Sequence, residues 1–169
     1  MATTYVKIAS VTVGSGGAAS IQFTSIPGTY DDLVIKISSR STTNLGGVWT
    51  GVNVRLNGST TSLTSRQLYG TGSAAGSAAT ATDNFWTTSS AATASTFDNS
   101  EIYIPNYAGS TNKSFSADSV TENNATAALA ALTANLWSNT NAVTSITLVE
   151  AGNSFAQHST AVLYGIKRT

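Results

Sequence analysis

The stretch Val143-Thr144-Ser145-Ile146-Thr147-Leu148, then the turn-forming Gly152-Asn153-Ser154-Phe155, then His158 to Ile166 with Leu163-Tyr164-Gly165-Ile166 near its end, decides the fold class. It reads as two β-strands around a Gly-Asn turn. In the first strand Val143, Ser145 and Thr147 alternate with Thr144, Ile146 and Leu148, the period of two that a half-buried strand requires. A chain that finishes on a strand of this kind is expected to have its terminus tied into a sheet, where a free terminus would fray.

The same alternation recurs upstream. Tyr5 to Val13 is β-branched and alternating, and Gly14-Ser15-Gly16-Gly17 breaks it, reading as a hairpin connection. Ser20 to Ser25 places Ile21 and Phe23 on one face. Ile26-Pro27-Gly28-Thr29-Tyr30-Asp31 reads as a turn, because Pro fixes φ and Gly tolerates positive φ. Asp32 to Arg40 points Leu33, Ile35 and Ile37 inward. Trp49 to Leu56 does the same with Val52, Val54 and Leu56. Asn57-Gly58 is the residue pair favoured in two-residue hairpin turns, so Leu63 to Tyr69 is expected to return as its partner. Glu101 to Tyr107 is a further strand, and Pro105, having no N–H for a ladder, marks its end or an edge. Lys113 to Val120 alternates again, with Phe115 and Ala117 on one side.

Three segments read otherwise. Residues 70–82 are almost pure Gly, Ala, Ser and Thr, and a second polar stretch spans 88–96, with a short strand around Asn84 to Thr87 between them. The expectation is a low-complexity loop or arm over about 70–96. Ala125 to Leu132 is rich in Ala and Leu and is the one plausible helix. Trp137 is expected to open the closing strands. No fixed-period repeat or heptad occurs. The 169 residues are expected to form a single domain, 1–169, an all-β antiparallel sandwich.

Composition narrows function. Charge is scarce, with 8 Lys+Arg against 8 Asp+Glu, 9% of the chain. The basic residues are scattered, so a phosphate-binding footprint for nucleic acid is not expected. There is no apolar run long enough to span a membrane, and Met1 to Val6 lacks the basic and apolar regions of a secretory leader, so synthesis in a cytoplasm is expected. No Cys is present, so neither a disulfide nor a thiolate metal site is available. A surface of Ser, Thr, Asn and Gly loses little side-chain entropy when covered, which suits packing against other subunits.

No catalytic constellation emerges. His158 is the only histidine and sits at the start of a strand. Asp31-Asp32 lies in a turn, where acids usually accept backbone N–H groups. Asp98 and Glu101 are close in sequence without any sign of a cleft between opposed acids. Asn-x-Ser/Thr triplets at Asn57, Asn112 and Asn124 are expected by chance in so Asn-, Ser- and Thr-rich a chain. No catalytic, metal or cofactor residue is assigned. Among the aromatic residues, Trp137 and Tyr164 read as core. Trp49 and Trp86, which flank loops, and Tyr107 are the candidate partner contacts, with a protein partner favoured over a sugar.

Trp137, the segment Thr140-Asn141-Ala142-Val143-Thr144-Ser145-Ile146, the Gly152 to Phe155 turn and the closing Leu163-Tyr164-Gly165-Ile166 resemble the end of a jelly-roll-type β-domain found in virion structural proteins of tailed bacteriophages. Phe23 to Ile35 with Arg40 beyond it, and Ile102 to Tyr107, fit the same resemblance in order and spacing. It implies a jelly-roll-like sandwich, no cofactor and a place on the virion after assembly in the host cytoplasm. The domain often tips a long tail fibre. Because this sequence starts at Met1 with no shaft, the resemblance implies instead a capsid decoration (cement) protein on the major capsid protein, as a homo-oligomer and possibly a homotrimer. The alternative is a tail-fibre tip or small tail protein that binds other tail proteins or a host receptor.

Overall fold

The computed structural model describes residues 4–80, 84–124 and 127–167. Among them are twelve strands and no helix: β1 (Thr4–Thr12), β2 (Ser20–Phe23), β3 (Asp32–Ser38), β4 (Trp49–Leu56), β5 (Leu63–Gly70), β6 (Ala75–Thr80), β7 (Phe85–Thr88), β8 (Asn99–Pro105), β9 (Lys113–Glu122), β10 (Ala128–Trp137), β11 (Ile146–Glu150) and β12 (Thr160–Lys167). They form two antiparallel sheets, an eight-stranded one ordered β1-β12-β3-β8-β9-β10-β5-β6 and a four-stranded one ordered β2-β11-β4-β7. The fold is an antiparallel β-sandwich.

Strand alternation places the core between the sheets. The large sheet contributes Leu33, Ile35 and Ile37 of β3, Ile102 and Ile104 of β8, and Leu163 of β12. The small sheet meets them with Phe23, Val52, Val54, Phe85, Ile146 and Leu148, all buried. Ring-sized groups close the ends. Tyr107 is fully buried, and its hydroxyl donates to the Pro27 carbonyl. Glu150 holds the Gly152-Asn153 turn: its carboxylate accepts both of those backbone N–H groups and the Ser41 hydroxyl. A side chain at position 152 would collide with Thr43, which is why the turn uses glycine there.

The sandwich itself uses only eight of the strands. With β5, β6, β9 and β10 set aside, two four-stranded sheets remain, β1-β12-β3-β8 and β2-β11-β4-β7. The other four come from two insertions, β5–β6 between β4 and β7 and β9–β10 between β8 and β11. They lie side by side as β9-β10-β5-β6 and extend the large sheet well past the small one. This extension is called the wing below.

Several sequence expectations are corrected here. Asn57 and Gly58 do adopt left-handed φ values of 52° and 71°. Yet β5 does not return along β4, because both sides of β4 are occupied, by β11 and β7. The Asn57 carboxamide is engaged by the 142–145 segment instead, accepting from the N–H groups of Thr144 and Ser145 and donating to the Ala142 carbonyl. The low-complexity loop expected over 70–82 contains β6, with residues 81–83 outside the described residues, while β7 falls where a short strand was expected around Asn84 to Thr87. Small side chains do not prevent a strand from forming when a neighbouring strand supplies the ladder. Of the helix expected at Ala125 to Leu132, residues 125 and 126 lie outside the described residues, and Ala128 to Leu132 form the start of β10. Pairing with β9 on one side and β5 on the other overrides alanine's helix propensity. Trp137 closes β10 and does not open the final pair. The final two strands sit in different sheets, as do β1 and β2, so the turn at Gly14 to Gly17 crosses the sandwich and is not a hairpin.

Candidate functional site

The wing is built from a two-residue alternation sustained over long strands. In β10, Leu129, Ala131, Thr133, Asn135 and Trp137 point inward and are buried, while Ala130, Leu132, Ala134 and Leu136 point outward. β9 alternates likewise over its ten residues. The inner side is tied to the sandwich through the core residues Phe115, Ala117 and Trp137 and through polar groups. The Asn84 carboxamide donates to Ser65 Oγ at 2.8 Å and to Asn135 Oδ1 at 3.0 Å, and its oxygen accepts the Val54 N–H at 2.7 Å. Ser65 Oγ donates to Asn135 Oδ1 at 2.6 Å. The Trp86 indole N–H donates to Gln67 Oε1 at 2.7 Å and its backbone N–H to Ser119 Oγ at 3.1 Å. A satisfied buried network of this kind fixes one orientation of wing on sandwich.

The outer side of the wing is open and carries an apolar cluster among small polar and charged residues. Seven large hydrophobic residues are exposed among the described residues, and four of them, Leu68, Val120, Leu132 and Leu136, are on this face. Register brings them together: Leu68 lies opposite Leu132 across β5 and β10, and Ala130 lies between Val120 of β9 and Gly70 of β5. Leu68 is 64% and Leu132 55% exposed. Two shallow depressions of about 450 and 540 Å³ share these two leucines. Two charged residues share the face: Asp118 of β9 lies directly opposite Leu132, and Arg66 lies opposite Ala134 and lines the first depression. Contiguous exposed apolar surface of this kind marks an interaction site more often than it marks ordinary surface.

The sequence candidates divide. Trp49 and Trp86 are both half-buried and do come together, lining one cavity of about 240 Å³ beneath the wing and another of about 290 Å³ beside residues 45–51. Gln67, Tyr69, Ala78 and Leu129 complete the first of these. Tyr107 is corrected: it is fully buried and its hydroxyl is held by Pro27, so it offers nothing to a partner. Burial also raises its pKa above the usual phenol range. Trp137 is core as expected, while Tyr164 stands on the outer face edge-on to Tyr5, with ring centres 6.1 Å apart. Sequence reading missed Leu68, Val120, Leu132 and Leu136. The signal was present as the period of two from Ala128 to Trp137, which the run of alanines obscured.

The remaining polar groups have local work. Asp32 accepts the Tyr103 hydroxyl at 2.8 Å and the Asn106 N–H at 3.0 Å. Asp98 is buried, and burial pushes its carboxyl up to about 7 against the Ser39 N–H and Ser100 hydroxyl that favour the charged form. Glu101 instead pairs with Lys36 at the surface. His158 is exposed in a turn at φ 74°. The Arg40 guanidinium donates to the carbonyls of Ser90, Ala92, Thr93 and Thr96, which gathers the loop after β7. Lys113, nine-tenths or more enclosed by residue exposure, donates to the carbonyls of Gly109 and Thr111, and burial lowers its pKa. No group of three metal-ligating side chains occurs among the described residues. Comparison with protein-family models, curated proteins and solved structures returns no match.

Proposed function

We propose that this chain is a non-enzymatic structural subunit of a tailed-bacteriophage virion, a capsid decoration protein that docks on the outer shell of major capsid protein. The observation that carries this is the wing, whose outer leucine and valine cluster has no covering layer among the described residues. Its exposed leucines gain free energy only when something covers them. The strand order supports the resemblance drawn from sequence. In the two sheets β1-β12-β3-β8 and β2-β11-β4-β7, successive strands pass back and forth between layers in the manner of a jelly roll, and the wing is the elaboration added to it.

The mechanism is mass action. A subunit that binds assembled shell and not loosened capsomers stabilises the shell by its own binding free energy. The scarcity of charge favours a contact that depends little on salt. A second reading, a tail-fibre tip or small tail protein that recognises a host receptor, draws on the paired Trp49 and Trp86 cavities. Immunogold labelling of virions, with the copy number read from a gel of purified particles, separates the two. Shell labelling with hundreds of copies is expected. Labelling confined to the tail with a few copies selects the second reading, and release of oligosaccharide from host polysaccharide would overturn both.

A further inference from the structure

We propose that two copies of this chain pair edge to edge through β6, antiparallel across a two-fold axis, joining two wings into one continuous sheet. Over Ala75 to Ala79, β6 is bonded to β5 on one side, and no strand among the described residues pairs with the other side, which presents open backbone N–H and C=O groups. Natural sheets defend such edges with charge, proline, bulges, short length or cover. The other sheet edges here are defended. β1 carries Lys7 and a register shift between Lys7 and Ala9. β2 and β7 are four residues each, and β7 is roofed by the wing. Among the described residues β6 has none of these devices. It is Ala75-Gly76-Ser77-Ala78-Ala79-Thr80, without charge, proline or a shift in its register with β5.

Several features favour a second copy as the occupant. An antiparallel pair of identical strands is self-complementary, so one patch closes the contact by two-fold symmetry. With same-face residues opposed, the axis passes through Ser77 or Ala78, and no charged side chain meets its own copy. The nearest charge on β5, Arg66, stands opposite Ala79 and one strand back. The chain's formal net charge is zero, so two copies approach without general repulsion. Small side chains on both faces of β6 let the strands close to ladder distance. Tyr69 packs its ring over Gly76, where a Cβ would lie 2.7 Å from the hydroxyl oxygen, and this cross-strand cover stiffens the edge in its extended form.

The pairing has a consequence for the docking face. The axis runs through the sheet, so both apolar outer faces end on the same side. Leu68 of the two copies stands three strand spacings apart, roughly 14 Å, and two patches become one platform. Only this consequence rests on the proposed function; the pairing does not. The chain is therefore expected to be two-fold paired, where the family resemblance implied a possible trimer.

The test is the mass in solution by analytical ultracentrifugation at roughly 100 μM and on dilution, where a dimer of micromolar affinity dissociates measurably. The wild-type chain is expected to give a dimer. Ser77→Lys with Ala79→Lys, at two exposed positions, opposes like charges across the axis and is expected to weaken association about tenfold or more, with unchanged circular dichroism. The chain has no native cysteine, so Ser77→Cys and Ala78→Cys report the geometry directly: oxidation of at least one is expected to yield a covalent dimer, and of a Leu45→Cys control none. A monomeric or trimeric wild type, a dimer indifferent to the lysines, or cross-linking as efficient at the control site would overturn the pairing. None of these results depends on where the protein sits on a virion.

Discussion

The double substitution Leu68→Thr, Leu132→Thr separates what the wing does for folding from what it does for docking. Both leucines point outward and face each other across β5 and β10, 64% and 55% exposed. Fully burying a leucine is worth about 1.5–3 kcal/mol, so the fraction still open on each supplies about 1–2 kcal/mol when a partner covers it. The pair then accounts for about 2–4 kcal/mol of docking, or roughly 30- to 1000-fold in affinity. Folding barely notices the change. Exposed substitutions away from special contacts stay within about 0.5 kcal/mol, and threonine suits a strand. For the pair that is about 1 kcal/mol at most, a Tm shift of no more than about 4 °C at this chain length. The assay is a titration of labelled protein onto shells lacking it, read by co-sedimentation, beside a thermal melt. Val6→Thr, at an exposed position on β1, is the control and leaves binding unchanged. A double variant that melts normally and binds within about threefold of wild type would refute the assignment of the docking face, since that is well under the 1.4 kcal/mol of a tenfold effect.

Three further outcomes follow from buried polar groups. Asp98 keeps its proton to about pH 7 when folded and loses it near 3.8 when unfolded. Its contribution is therefore full below the lower value and falls as pH rises towards the upper one, by at most about 4 kcal/mol; Asp98→Asn, which keeps an acceptor for the Ser39 N–H, should flatten the Tm profile across that window and raise Tm above it, as calorimetry would register, and an unaltered slope would exclude Asp98 as its source. Asn135→Ala leaves Asn84 and Ser65 short of a buried partner and should cost about 2–4 kcal/mol by urea unfolding. Arg40→Met removes the donors to four loop carbonyls and should speed hydrogen exchange at the Ala92 and Thr96 amides while leaving β10 amides unchanged; equal acceleration in β10 would mean that the loop and the wing open together.

The sandwich was legible because its strands bury one face with β-branched and aromatic residues. Leu33, Ile35 and Ile37, or Val52 and Val54, announce a period of two without competition. The wing was legible only in part: β5 and β9 fall where strands were expected, at Leu63 to Tyr69 and Lys113 to Val120, whereas β6 and β10 were missed. Its inner residues include Ser65, Thr133, Asn135 and Ser119, which look like surface, and its outer residues include Leu68 and Leu132, which look like core. β6 carries no apolar residue larger than alanine, so hydrophobic patterning has nothing to detect. The Asn57-Gly58 turn was read correctly as a local conformation, but turn chemistry does not say which strand comes next to β4. Trp49 and Trp86 were found because they flank the loops around β4 and β7; Tyr107 was misplaced because a tyrosine after Pro105 looks like a loop residue until its hydroxyl is seen against Pro27.

The two-sided character of the wing constrains what it is for. A two-layer sandwich stabilises itself by burying apolar side chains between its sheets. The four strands of the wing do so with Phe115, Leu129 and Trp137 and add a polar inner contact through Ser65, Gln67 and Asn135, which fixes orientation yet adds only about 1 kcal/mol of net stability per hydrogen bond. They also carry Leu68, Val120, Leu132 and Leu136 on the outside. Extra strands that served folding alone would carry threonines or serines at those outer positions. Leu68, Leu132 and Val120 pointing away from the core, next to an edge strand with neither charge nor bulge, make sense for a surface completed by another subunit: the polar contacts beneath hold the platform rigid, and the apolar cluster above supplies the affinity when it is covered.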